Sequence, residues 1–310
     1  MRVPVEVYSG FPGAGKTTYI RRRLKNGVPD GGLLVILTEQ GEARLEEKDM
    51  PQNSTIKTIH EHTALNFFTL SDWNDELHPQ RVIVEMNGNW PMKFLRDNLP
   101  DGWFLEQEIV LGDGRVYPQY DQYARSYVTD KLMGCTRVVL NRCGKDMEKA
   151  ALHKTVRAIN RNCEIVYEYE DGRLEIDDLP DILPYDITRD TIVLRDADYA
   201  VWHRDFTEAP EKYQDKVIVL HGMVNTEFRV NQYDFIIGRM VMTCNIEDLS
   251  YKAVVCRCGE ELRLINNQWI RLTARMTKEY HKIYMGEGPV LVFQSFEPAM
   301  PPKVEVATYS

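Results

Sequence analysis

The sequence predicts an α/β domain with a mostly parallel sheet, followed by a small all-β domain built as a five-stranded barrel. Three observations point there. From residue 1 to about 170, short apolar runs alternate with amphipathic helical stretches, the pattern of strands joined by crossover helices. The first apolar run empties into a glycine cluster, "GFPGAGKTT", and helix-type sequence follows at once. From about residue 213 the pattern changes to short strands with turn residues between them and no long helical stretch. A chain of 310 residues is long for one core and comfortable for two.

In chain order, residues 3–8, 33–37, 81–85, 108–111, 136–141 and 164–167 read as strands, and 17–24, 122–132 and 147–160 as helices. Together they make a first domain over 1–170. Residues 171–210 then read as a connector. The character changes near Glu168, where "EYEDGRLEIDDLPDILPYD" carries a dense acidic run and two prolines, and an irregular edge of the first domain is an equal reading. Over 211–310, "KVIVLHGMV", "FIIGRMVMTC", "KAVVCRCG", "QWIRLTARM" and "PVLVFQSFEPAM" supply five strands, enough for a small barrel.

Composition narrows the function. Hydrophobic residues make up 43% and the net charge is -9, which argues against a broad nucleic-acid-binding surface. Residues 211–310 hold 12 basic and 12 acidic residues, so the acidic excess belongs to the first 210. The "RRRL" run after the glycine cluster reads as a solvated helix face, and the five scattered tryptophans read as packing anchors. No apolar run approaches a membrane span. No basic-then-apolar leader opens the sequence, and a cytoplasmic location is expected. Six cysteines in 310 residues do not suggest a disulfide scaffold.

Gly10, Gly15, Lys16 and Thr17 satisfy G-x-x-x-x-G-K-[ST] between a strand and a helix. That spacing is chemically meaningful. The glycines let backbone N–H groups, those of Gly13, Ala14, Gly15 and Thr18 included, turn in around phosphates. The helix N-terminus adds partial positive charge. Lys16 reaches the terminal phosphates, and the Thr17 hydroxyl is placed to bind Mg²⁺.

Three further strand ends belong to the same site. Glu85, closing "RVIVE", is placed to hold Mg²⁺ or its water shell, and Gly88 to offer an N–H to the γ-phosphate. Glu39, after "VILT", reads as a contact to Mg²⁺ or to the attacking water. The catalytic base stays open between Glu39, Glu42 and a backbone-held water. At the end of "TRVVLN", Asn141 can bond the purine or lock the phosphate loop. The Arg142 stem can lie over the base, and Asp146 can accept from guanine N1 and N2.

Taken together, "GFPGAGKTT", "TEQGE", "VEMNG" and "VVLNR" resemble the CobW-like P-loop GTPases over about residues 1–170. The resemblance implies a GTP/GDP site with Mg²⁺, phosphate and metal roles for Lys16 and Thr17, an acidic role for Glu85 with Gly88, and a purine-side role for Asn141. It also implies work in metal or cofactor handling, with a metalloprotein client. Two departures stand out. The family's Asn-Lys-x-Asp segment here reads Asn141, Arg142, Cys143, Gly144, with Asp146 two residues late unless a bulge restores it, so guanine selectivity weakens and ATP becomes usable. The family's cysteine cluster is missing from residues 50–70, where only His60 and His62 could serve.

The second half resembles the C-terminal β-domain of a poorly characterised bacterial membrane-associated family often paired with permeases. That implies an OB-like barrel and a permease as a further partner. Cys244, Cys256 and Cys258, with His221 nearby, form a candidate Zn²⁺ set, although buried cysteines packed as small hydrophobes are the plainer expectation. The functional expectation is a nucleotide-hydrolysing regulator or chaperone. A non-hydrolysing adaptor for a transporter and a small-molecule kinase are the alternatives.

Overall fold

The computed structural model describes residues 2–27, 32–39, 41, 43–117, 124–227, 233–242 and 249–309. It divides into two compact units, Met1–Pro180 and Asp181–Ser310.

The first unit contains, in order, β1 (Val3–Gly10), α1 (Lys16–Lys25), β2 (Leu33–Leu37), β3 (Ser54–Thr58), α2 (Phe67–Leu77), β4 (Arg81–Glu85), α3 (Lys93–Arg96), β5 (Trp103–Asp113), α4 (Arg125–Leu132), β6 (Arg137–Cys143), α5 (Lys149–Ile159), β7 (Glu164–Tyr169) and β8 (Leu174–Ile176). The eight strands lie in the order β3-β2-β4-β1-β5-β6-β7-β8. All pairings are parallel except β7–β8. Helices cover both faces of such a sheet, so its inner strands read as continuous apolar runs. β1 and β2 are buried along almost their whole length. Val5, Val7, Leu34, Ile36, Val82 and Val84 pack one face, while Tyr8, Val35 and Ile83 pack the other with Ile20 and Leu24 of α1. Ile20 and Leu24, four apart on one helical face, together contribute about 3–6 kcal/mol of burial.

The central strand also carries a buried carboxylate. Glu6 accepts from Arg81 at 2.7 Å, Tyr8 at 2.9 Å and Arg23 at 3.1 Å, so its burial is compensated. The rest of the basic run is spent in the same way: Arg21 on Asp49 and Arg22 on Glu168.

The second unit contains β9 (Thr191–Val193), α6 (Tyr199–Glu208), β10 (Val217–Asn225), β11 (Phe235–Met242), β12 (Ser250–Arg257), β13 (Trp269–His281), β14 (Gly286–Pro298) and β15 (Ala307–Thr308). Its strands run β15-β11-β12-β14-β13-β10-β9, and β10 pairs again with β11. The ring β10-β11-β12-β14-β13 therefore closes into a five-stranded barrel. β12 and β14 are parallel; every other pairing within the ring is antiparallel. This is the expected OB-like architecture. Burial alternates residue by residue along β10 and most of β13, as a strand with one face in the core requires. Residues 171–210, read from the sequence as a connector, carry β8 of the first sheet and β9 and α6 of the second unit. Tyr199, Trp202 and Phe206 of α6 sit in the barrel core cluster. No helix among the described residues is long and apolar enough to cross a membrane.

Candidate nucleotide site

The site grows from the carboxyl ends of β1, β2, β4, β5 and β6, where loops of a parallel sheet gather. β1 stops at Gly10, whose φ of +131° suits glycine; a Cβ there would meet the Leu111 carbonyl oxygen of β5 at 2.1 Å. The loop ends at Gly15, which precedes α1 with no side-chain cap. The first-turn N–H groups thus keep their capacity to bind an anion. Ala14 is buried, while Gly13 and Thr18 are exposed.

Lys16 is buried and curls back over this loop. Its Nζ donates to the carbonyls of Gly10 and Phe11, both at 3.0 Å, and pairs with Glu39 Oε2 at 2.8 Å. The Thr17 hydroxyl donates to Glu85 Oε1 at 2.6 Å. Burial is the main influence on the Glu85 carboxyl and pushes its pKa up, against the opposing effects of the Thr17 hydrogen bond and of Lys16.

The loops after β2 and β4 interlock above the phosphate loop. The Thr38 hydroxyl donates to the Glu85 carbonyl at 3.0 Å and accepts from Asn87 N–H at 2.6 Å. Asn87 Nδ2 donates to the Thr38 carbonyl at 3.1 Å. Gly88 N–H donates to Glu39 Oε2 at 2.9 Å. Gly88 lies so close to the phosphate loop that a Cβ would stand 2.6 Å from Pro12 Cδ. Two residues of α4 hold the following segment. The Asp130 carboxylate accepts from Met92 N–H at 3.0 Å, and Lys131, buried, donates to the Trp90 carbonyl. Burial pulls the Lys131 pKa down, with Lys16 contributing in the same direction. Neither α4 residue stands out in the sequence, because each acts on a loop some forty positions away.

At β6, the sequence leaves Asn141 open between two roles. Its Nδ2 donates to the Ala14 carbonyl at 2.7 Å, which locks the phosphate loop, and its Oδ1 is buried with no hydrogen-bond partner among the described residues. The strand is irregular at this point: the register against β7 shifts between Leu140 and Cys143, and Arg142 has φ +54°. Arg142 Nη1 binds Asp113 Oδ2 at 2.9 Å and the Gly13 carbonyl at 3.2 Å, so its guanidinium is held at the loop. Asp113 also takes three bonds from Arg115, two from its side chain at 2.6 and 2.9 Å and one from its backbone N–H at 3.1 Å. These bonds, the Arg115 side chain first, hold its pKa down to about 2. Asp113 is missing from the sequence-based site, although "VLGDGR" ends a strand in a carboxylate as β4 does. Asp146 is exposed on the turn after β6.

The candidate metal residues elsewhere are scattered. His60 is exposed beyond the end of β3, and His62 opens a 3-10 turn with its ring stacked on Phe94 at 5.0 Å. Cys256 is buried in the barrel core and Cys258 is buried just after β12. His221, on the alternating strand β10, leaves the core face and bonds Asp196 at 3.0 Å. Cys244 and Glu42 lie outside the described residues. Among the described residues, no three His, Cys, Asp or Glu side chains gather as metal ligands. All five described cysteines are free and buried.

Residues 177–306 match the family model described as the DUF1980 C-terminal domain, less than half of the chain. Residues 6–70 match one described as the viral superfamily 1 RNA helicase core domain, a stretch that runs from the phosphate-loop strand into α2. No curated protein matches. Similar solved structures include a zinc-bound YjiA GTPase from E. coli, at 16% identity and TM-score 0.41, covering 83% of this chain and 90% of that one. A zinc-bound triple mutant of YjiA aligns at 15% identity and TM-score 0.42, covering 82% and 89%. The hydrogenase maturation factor HypB from Archaeoglobus fulgidus aligns at 14% and 0.39, covering 54% and 80%. Superpositions this loose transfer no residue's role.

Proposed function

We propose that the first unit binds and hydrolyses a purine nucleoside triphosphate, GTP in preference to ATP, with Mg²⁺, and that the protein is a cytoplasmic regulator or chaperone in metal or cofactor handling. One observation carries the nucleotide reading: Lys16 and Thr17 open α1 directly after the glycine loop, and Thr17 is hydrogen-bonded to a buried carboxylate, Glu85, at 2.6 Å. Two hard oxygen donors side by side, one of them a buried carboxylate, fit Mg²⁺, which takes few protein ligands and keeps several waters. Bound there, the ion would neutralise charge on the phosphate oxygens.

The remaining steps belong to the chain. The N–H groups at the start of α1 and the Lys16 ammonium bind the phosphates. Asn141 holds the loop in shape through Ala14. The interlocked segments 38–39 and 87–88 carry the carboxylate of Glu39, which can orient an attacking water. The guanine preference is supported by the sequence resemblance alone; the one-residue register shift before Cys143 makes up only one of the two positions by which Asp146 is late. The metal-handling role and a metalloprotein client also rest on that resemblance. The barrel is the docking module in this reading, and a membrane permease as its partner rests on the sequence resemblance of the second half. A non-hydrolysing adaptor would use the same unit.

Calorimetry with GDP, ADP and a slowly hydrolysed GTP analogue tests this reading, alongside phosphate release. Lys16→Ala loses its charge-assisted contacts, about 1.5–3 kcal/mol, so triphosphate affinity should fall at least about ten-fold. Equal affinity for GDP and ADP would remove the guanine label. Unchanged affinity in Lys16→Ala would remove the phosphate site, and binding without phosphate release would leave the adaptor.

A further inference from the structure

Resting on that reading of the phosphate loop, we propose that Glu39 sets the choice between nucleoside triphosphate and diphosphate, because its carboxylate already holds the donors that a terminal phosphate needs. An ammonium group has three hydrogens to donate. Lys16 spends them on the Gly10 carbonyl, the Phe11 carbonyl and Glu39 Oε2, at 3.0, 3.0 and 2.8 Å. The backbone N–H of Gly88 has one, and it goes to the same Glu39 oxygen at 2.9 Å. A single carboxylate oxygen therefore bridges the loop lysine and the glycine N–H after β4. These are two charge-assisted bonds on one atom, made where the Lys16 side chain is 2% exposed and that of Glu39 15%, so solvent screens them little.

The arrangement separates the two ligands. A diphosphate takes one Lys16 hydrogen for its β-phosphate, which a loop carbonyl can give up, and makes no demand on the Gly88 N–H, so the Glu39 bridge stays in place. A triphosphate brings a third group that requires Lys16 and the Gly88 N–H, so the carboxylate must leave first. The triphosphate's apparent affinity is reduced by the fraction of molecules in which the bridge is closed; the diphosphate's is not. When Glu39 leaves, one of the ties between segments 38–39 and 87–88 goes with it, and the Thr38–Asn87 bonds remain. The loops thereby register the third phosphate. After hydrolysis, the carboxylate competes with the departing phosphate for the same two donors and speeds its release.

The test uses the full chain and two variants, Glu39→Gln and Glu39→Ala. Titrations use GDP, ADP and the slowly hydrolysed thio-triphosphates of both bases. They are run with Mg²⁺ and again in EDTA, where any share of Glu39 in holding a metal drops out. The expected result in EDTA is a gain of about ten-fold or more in triphosphate affinity, with diphosphate affinity changed less than about three-fold. Glu39→Ala should exceed Glu39→Gln, whose amide oxygen still accepts. Nucleotide binding with an unchanged triphosphate-to-diphosphate ratio in both variants overturns the proposal and leaves the phosphate site standing. A loss of triphosphate affinity in both variants also overturns it. Failure of every protein to bind any nucleotide removes the site and the proposal together.

Discussion

Gly88→Ala adds one methyl group at the tightest approach between the loop after β4 and the phosphate loop. An ideal Cβ stands 2.6 Å from Pro12 Cδ, 2.8 Å from Pro12 N and 2.9 Å from the Gly10 carbonyl oxygen. Ordinary contact begins near ~3.5 Å, so one of the two loops must give by roughly 0.5–1 Å. The Gly88 N–H···Glu39 bond starts at 2.9 Å, and a shift of that size takes it to the edge of hydrogen-bond range. Overpacking of this kind costs about 1–3 kcal/mol. At about 2–4 °C per kcal/mol for a unit of this size, the nucleotide-free protein should melt about 2–12 °C lower. The nearest clashing atom is a proline side-chain carbon, so Pro12→Ala in the Gly88→Ala background should recover part of the loss. Differential scanning calorimetry of the four proteins of that double-mutant cycle reads the coupling directly. A Gly88→Ala protein that melts within about 1 °C of wild type, or a Pro12→Ala effect that merely adds, would refute the contact argument.

Two further outcomes follow from buried titratable groups. The folded-state pKa of Glu85 lies above its ordinary value because of burial, so the protonated form is favoured in the fold and stability is lost as pH rises through that pKa. Glu85→Gln should therefore raise the melting temperature of the nucleotide-free protein at pH 7, the gain shrinking below the ordinary carboxylate pKa, while Mg²⁺-dependent triphosphate binding is lost. A melting temperature at pH 7 no higher than wild type would count against it. In the second unit, burial pulls the His203 pKa down to about 4, and its Nε2 lies 3.2 Å from the Ala253 carbonyl. A lowered histidine pKa gives stability that is full above the ordinary value and is lost as pH falls through about 4. Melting followed from pH 7 to 4 should decline on this account, and His203→Gln should flatten that decline; an identical slope in the variant would rule the histidine out.

Much of the architecture is written locally. "LLVIL" and "RVIVE" run apolar because their strands are covered on both faces, and the strands found there have the bounds that the sequence suggests. The barrel strands announce themselves by alternation. β3, "STIKT", is an edge strand with no fully buried residue, so it leaves no apolar run to read. α2 has Leu70 as its one fully buried residue and carries Phe67 and Phe68 exposed, which blurs its helical periodicity. α6 lies next to an acidic, proline-bearing stretch and reads as linker, yet Trp202 and Phe206 are buried in the barrel core.

The phosphate loop is legible without any structure, because eight contiguous residues from Gly10 to Thr17 carry both the turn and the chemistry. The succession of strands, helices and barrel is legible in the same local way. The pairings across the site come from tertiary packing alone. These are the bridge from Glu39 to Lys16 and Gly88, the capture of Arg142 by Asp113 before it could lie over a base, and the grip of Asp130 and Lys131 on segment 90–92. Periodicity reports which face of an element is buried. It does not report which distant group completes a buried donor or charge, and that choice is made when the strands are laid side by side and each desolvated polar atom takes the partner within reach.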